Sequence, residues 1–193
     1  DTDDVKSIAS PMVAAGGGYT IALKYDGTVW AWGYNKNGEL GQGNTTSVYS
    51  PVQVKSADGN SYLTDIIEIA AGSNHNLALA KDGTVWSWGY NNYGSLGLGD
   101  GTSRTTAQQV LGGASGSQYL TDIVEVKAAT MHTLALKANG TVYAWGYNGY
   151  GQLGSNGGSS YTPVQVVTGA QKSASGYLEK VVDIDVSSGN DNG

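Results

Sequence analysis

The chain contains no cysteine and no phenylalanine, only 3 prolines and 2 histidines, and charged side chains make up just 13% of its 193 residues. Without cysteine there is no disulfide framework and no thiolate metal site. The two histidines, His75 and His132, have no His or Cys cluster around them in sequence, and a metal centre needs several ligands converging on one point. No apolar run approaches the ~20 residues of a helical membrane span. The 10 Lys and Arg are scattered and the net charge is −6, which opposes binding to a phosphate backbone and so to nucleic acid. There is no G-x-x-x-x-G-K-[ST] loop, and no strand, Gly-rich loop and helix in the order a dinucleotide requires. No Ser-His-Asp arrangement can be argued from spacing. These absences leave no expected cofactor, no expected metal and no expected enzymatic activity.

What the chain has is glycine, 30 residues of it, and repetition. The segment Asp26-Gly27-Thr28-Val29-Trp30-Ala31-Trp32-Gly33-Tyr34-Asn35 returns as Asp82-Gly83-Thr84-Val85-Trp86-Ser87-Trp88-Gly89-Tyr90-Asn91. It returns again as Asn139-Gly140-Thr141-Val142-Tyr143-Ala144-Trp145-Gly146-Tyr147-Asn148. Gly33, Gly89 and Gly146 stand 56 and 57 residues apart, and a fixed period of that size marks a repeat architecture. Each period opens on an apolar strand signal such as Ile66-Ile67-Glu68-Ile69-Ala70-Ala71, followed by an alternating run such as Leu77-Ala78-Leu79-Ala80. Asp-Gly or Asn-Gly between two short apolar runs is the strongest local hairpin signal. Trp86 and Trp88, two residues apart, share one face of the next strand. A glycine-rich turn with a single plugging leucine follows (Leu40, Leu96, Leu153), then a short last strand at 52–54, 109–110 or 164–166. The count is four strands per period with no helical periodicity. That predicts an all-β chain of β-propeller blades.

The pattern Ala-Ala-Gly, His-x-Leu-Ala-Leu, Asp-Gly-Thr-Val-Trp-x-Trp-Gly-x-Asn and Tyr-Gly-x-Leu-Gly resembles the RCC1 (regulator of chromosome condensation) repeat, of the bacterial RCC1-like type. The resemblance implies a propeller that usually has seven blades. Residues 1–193 read as a single RCC1-like segment, with repeats over about 11–65, 66–122 and 123–180 and a partial fourth over 181–193. The ring is incomplete in one chain. The first blade is expected to lack its leading strand, because only Ala14-Ala15-Gly16 matches, and the fourth period to hold its first strands without the hairpin. Open blade ends call for completion, either by another copy in a head-to-tail homo-oligomer or by the rest of a longer chain.

The family's eukaryotic members bind chromatin and promote nucleotide exchange on a small GTPase; the acidic composition does not support that role here. Bacterial relatives include a secreted inhibitor that caps β-lactamases with a Tyr- and Trp-rich face. The expected function is therefore a non-enzymatic scaffold for protein contact. The alternatives are a structural subunit of a surface layer or filament and a secreted inhibitor-like binder. The abundance of Asn, Ser, Thr, Gly and Tyr suits an extracellular or cell-surface protein. The candidate protein-binding rim is Tyr34, Tyr90, Tyr93, Tyr147 and Tyr150, just after the Trp strands. Packing between blades is the competing role for those rings. Asn44-Thr45-Thr46 fits the glycan acceptor pattern, making Asn44 a candidate glycosylation site. His75 and His132 read as structural, Glu68, Glu125 and Asp183 as strand-borne charges, and the acidic stretches 1–4 and 190–192 as solvated tails.

Overall fold

The computed structural model describes residues 9–115, 117–169 and 175–187; the two acidic tails lie outside them. Among the described residues stand three four-stranded antiparallel sheets and no α-helix. The first sheet is β1 (Met12–Ala15), β2 (Tyr19–Leu23), β3 (Val29–Gly33) and β4 (Val48–Gln53). The second is β5 (Ile66–Ala71), β6 (His75–Ala80), β7 (Val85–Gly89) and β8 (Arg104–Gln109). The third is β9 (Ile123–Ala128), β10 (His132–Lys137), β11 (Val142–Gly146) and β12 (Ser160–Gln165). Each sheet is a meander whose strands lie in chain order. β1 packs beside β5, and β5 beside β9, so the leading strands gather at one edge and the sheets fan outward as blades. The sheets do not close into a ring.

Local chemistry explains each hairpin between the second and third strands. Asp26 Oδ1 accepts Thr28 N at 3.1 Å and Thr28 Oγ1 at 2.6 Å; Asp82 does the same for Thr84, and Asn139 for Thr141. The loop is three residues long, because Lys24 N pairs with Thr28 O, and only Gly27 takes a positive φ, of 76°. That is a type I turn followed by a left-handed glycine.

The blades are joined by one recurring device. The backbone carbonyl of Glu39 in blade 1 accepts both Asn76 Nδ2 (2.8 Å) and Trp88 Nε1 (2.9 Å) from blade 2. The carbonyl of Ser95 in blade 2 accepts Thr133 Oγ1 (3.0 Å) and Trp145 Nε1 (2.9 Å) from blade 3. Each carbonyl immediately precedes a fully buried plugging leucine, Leu40 or Leu96. Trp88 and Trp145 are 0% exposed. An indole buried that deeply must find an acceptor, or its N–H would cost about 1–3 kcal/mol. The aliphatic side of each interface is equally regular: Leu77, Leu79, Val85 and Val110 of blade 2 close on Ala135, Tyr143 and Trp145 of blade 3.

Two expectations about the ends are corrected. β1 is present, paired with β2 from Met12 opposite Leu23 to Ala15 opposite Thr20, so blade 1 has its leading strand. It is hard to see in sequence because most of its side chains are exposed and so carry no apolar alternation. Residues 181–187, in contrast, form no strand. Ile184 nevertheless buries against Leu136 and Val142. The last strands begin earlier than their apolar residues indicate, since β4 starts at Val48 and β12 at Ser160.

The histidines are also closer together than equivalent positions in separate blades suggest. His75 Nε2 lies 3.2 Å from Thr133 Oγ1 in the next blade, and His132 is near enough for its charge to act on His75. Thr133 spends its single hydroxyl proton on Ser95 O, so His75 Nε2 is assigned as the donor to the threonine oxygen. Burial first, and His132 second, push the His75 pKa down to about 3. At the leading edges of the blades, Lys127 bridges Glu125 (2.7 Å) and Glu68 (3.6 Å), tying β9 to β5. Burial raises the Glu68 pKa, and Lys127 opposes the shift.

Two stability predictions follow from these contacts. Trp88→Ala will cost about 3–5 kcal/mol; Trp32→Ala, at the same position of blade 1 but partly exposed, will cost markedly less. Urea denaturation at high dilution measures both, and equal losses would contradict the interface described. Unfolded His75 binds a proton below pH ~6.5 while the folded form stays neutral to about 3. Its contribution is therefore absent above pH ~6.5, and stability falls with pH below that by up to ~1.4 kcal/mol per pH unit. His75→Asn will flatten that part of the stability curve between pH 6.5 and 4.5.

Candidate protein-binding rim

One rim of the blades is built by the residues just past each Trp strand. Gly33, Gly89 and Gly146 end β3, β7 and β11 at φ of 109°, 102° and 102°. A Cβ on Gly33 would lie 2.6 Å from Gly18 O, so no other residue fits the close approach to the neighbouring hairpin. The turn they make delivers the next residue, a tyrosine, to that hairpin: Tyr34 N donates to Gly18 O (2.9 Å), Tyr90 N to Asn74 O (2.8 Å) and Tyr147 N to Met131 O (3.0 Å).

The asparagine that follows fixes the loop from inside. Asn35, Asn91 and Asn148 are buried. Asn91 Oδ1 accepts Leu96 N at 2.9 Å while its Nδ2 donates to Asp100 O and Thr102 O. Asn35 and Asn148 hold Leu40 N and Leu153 N in the same way, at 2.9 Å each. Each rim tyrosine thus stands on a backbone pinned on both sides, which limits the entropy lost when the loop meets a partner.

Of the five rim tyrosines, three come together. Tyr93 of blade 2 meets Tyr147 of blade 3 edge-on, with ring centroids 5.2 Å apart and planes at 67°. Tyr147 meets Tyr150 at 6.2 Å and 77°. Tyr150 is 74% exposed, Tyr93 is exposed along one side, and Tyr147 is the partly buried centre. Tyr34 is exposed on blade 1 and Tyr90 half-buried on blade 2; neither joins the cluster. Blade 1 has Asn37 where the other blades have Tyr93 and Tyr150, so no edge-on ring is available to pack on blade 2's Tyr90. Asn37 instead donates N (2.8 Å) and Nδ2 (2.7 Å) to the buried carboxylate of Glu39.

Tyr161 adjoins the cluster and escaped the sequence reading because it sits in the last strand rather than the rim loop. Its OH donates to Asn92 O at 3.3 Å, and a Cβ on Gly94 would meet its ring at 2.9 Å. The available signal was its 112-residue register with Tyr49, two periods earlier. Asn44 is exposed on the loop between β3 and β4, where its Oδ1 accepts Thr46 N at 2.9 Å. No helix is long and apolar enough to cross a membrane among the described residues.

The comparisons with known proteins agree with this architecture. The model of the Regulator of chromosome condensation (RCC1) repeat matches residues 26–79 and 82–136, and a second model of the same description matches 66–95 and 132–152. The chain is 34% identical over 143 residues to the ultraviolet-B receptor UVR8 of Arabidopsis thaliana, covering 74% of this chain and 30% of the receptor. It is 31% identical over 159 residues to the RCC2 homolog of Xenopus laevis, covering 81% and 28%. The chain therefore spans less than a third of the length of these relatives. Among solved structures, human WBSCR16 superposes with a TM-score of 0.67 at 23% identity, over 86% of this chain and 39% of that one. Prp20p of Saccharomyces cerevisiae, described with its binding to Gsp1p and histones, superposes at 0.65 and 22% identity, over 85% and 38%. With hairpins, plugging leucines and Trp strands in register across the matched residues, the chain belongs to the RCC1 repeat family.

Proposed function

We propose that the chain is a non-enzymatic protein-contact module that works outside the cell or at its surface and binds through its tyrosine rim. The observation that carries the reading is the Tyr93, Tyr147 and Tyr150 cluster, which offers exposed ring edges on a pinned backbone. Tyrosine suits such surfaces because it presents a large amphipathic area on few rotatable bonds. Partner binding in a relative supports a protein partner, since Prp20p binds Gsp1p and histones. The net charge of −6 supports a partner other than nucleic acid. Absence of cysteine is compatible with export but does not require it.

Within this reading the rim behaves as a hot spot. Immobilised protein is to be exposed to the envelope and culture-medium proteins of the source organism, and the bound species titrated. Tyr93→Ser combined with Tyr150→Ser will weaken the retained partner by about 30-fold or more, while far-UV dichroism stays unchanged. Retention of the same proteins at the same affinity by wild type and double variant would sink the proposal.

A further inference from the structure

We infer that the cleft over Trp86, between residues 62–65 and the hairpin joining β6 to β7, binds the ammonium group of a lysine carried by a partner polypeptide. The cleft lies at the opposite end of β7 from the tyrosine rim, so it is a second contact site beyond the one proposed above. Its walls belong to blade 2 and to the segment that joins blade 1 to it, both complete within the described residues.

One position of the repeat supplies the template. Lys24, Ala80 and Lys137 are equivalent, because their N–H groups close the same hairpin on Thr28 O, Thr84 O and Thr141 O at 2.9 Å each. In blade 1 the Lys24 ammonium stands 5.1 Å from the centre of the Trp30 ring and 3.6 Å from the Asp26 carboxylate. In blade 3 the Lys137 ammonium lies 3.4 Å from Asp122. Blade 2 keeps the partners of both lysines. Trp86 stands in the place of Trp30, Asp82 in that of Asp26, and Asp65 in that of Asp122. Asp65 O accepts Lys81 N (2.8 Å) as Asp122 O accepts Ala138 N (2.9 Å). What blade 2 lacks at this position is the cation, since Ala80 replaces it.

The exchange leaves a cleft of about 740 Å³ lined by Ala80, Trp86 and both carboxylates. A methyl group stands where the other two blades place a four-carbon stem, so the room for such a stem is open. The face of a tryptophan ring is the best aromatic platform for an ammonium, and a nearby carboxylate adds a charge-assisted hydrogen bond. Lys81 also lines the cleft, but it is exposed and forms no ion pair among the described residues. Two carboxylates against that one ammonium leave the cleft negative, in a chain whose net charge of −6 attracts cations.

The rest of the lining selects a lysine within a polypeptide over a free amine. Trp30 Nε1 donates to Thr28 Oγ1 at 3.0 Å, whereas Trp86 Nε1 makes no hydrogen bond among the described residues. That indole N–H is a donor for a main-chain carbonyl. Gln109, paired with Trp86 across β7 and β8, adds an amide to the same cleft, and Tyr62 adds an exposed ring. An alkyl ammonium alone uses none of these groups.

Nuclear magnetic resonance of the indole N–H signals of the 5 tryptophans tests this, with Trp86→Phe identifying the signal of Trp86. The probe is a short glycine–serine peptide with blocked ends and one central lysine. Its addition will shift the Trp86 signal saturably and leave the other four in place. Acetylating the lysine of the peptide will weaken binding about 10-fold or more. Asp82→Asn will weaken it about 3- to 10-fold; the hairpin survives, because Asn139 makes the same turn in blade 3. Ala80→Lys restores the residue of blades 1 and 3, so it will fold, fill the cleft and abolish binding. Lys81→Ala will bind at least as tightly as wild type. The inference is overturned by a Trp86 signal that does not move, by equal binding of the acetylated peptide, or by an Ala80→Lys variant that binds as wild type does. Binding of n-butylammonium as tight as that of the peptide would overturn the assignment to a polypeptide. The Tyr93→Ser and Tyr150→Ser variant will bind the peptide normally, so failure of the rim and failure of this cleft are read separately.

Discussion

Burying an indole obliges the protein to provide an acceptor for its N–H, and the whole structure is organised around that obligation. The acceptor is a main-chain carbonyl from the preceding blade, at Glu39 or Ser95, and a leucine plug follows it directly. One peptide unit thereby sets the spacing between neighbouring sheets and aligns the tryptophan with its slot. Stabilisation comes mainly from the area the ring removes from water, and the hydrogen bonds determine where the ring sits. The buried asparagines serve the same end, because Asn35 and Asn91 fix the loop that delivers the carbonyl.

The regular parts of this arrangement are legible in the amino-acid sequence, and the reason is local chemistry. Asp26, Asp82 and Asn139 mark hairpins because a short side-chain acceptor followed by glycine closes a turn without help from the rest of the fold. Trp86 and Trp88 mark a strand through alternation alone. β1 was not legible, since in Met12-Val13-Ala14-Ala15 only Ala14 packs on the core and the other side chains are exposed, which leaves no apolar alternation to read. Neither was the role of Asn76 or Thr133, whose partners lie 37 and 38 residues away in another blade. The early starts of β4 and β12 depend on pairing with β3 and β11, which no window of local sequence contains.

The rim shows the same division. The recurrence of tyrosine after Gly33, Gly89 and Gly146 could be read directly, and so could the position of each on one edge. Which rings touch depended on one position, occupied by Asn37, Tyr93 and Tyr150 in the three blades. A single exchange of side chain there leaves Tyr90 apart and gathers Tyr147 between two neighbours. The scaffold is uniform, and the surface it presents is not.

Because the joint is made by a main-chain oxygen, it is indifferent to the side chain attached to that residue. Glutamate and serine occupy the two positions, 39 and 95. Such a fastening lets a duplicated unit drift in composition while still fitting its neighbour, so a gene encoding it can lengthen, shorten or reshuffle its modules without redesigning the seams.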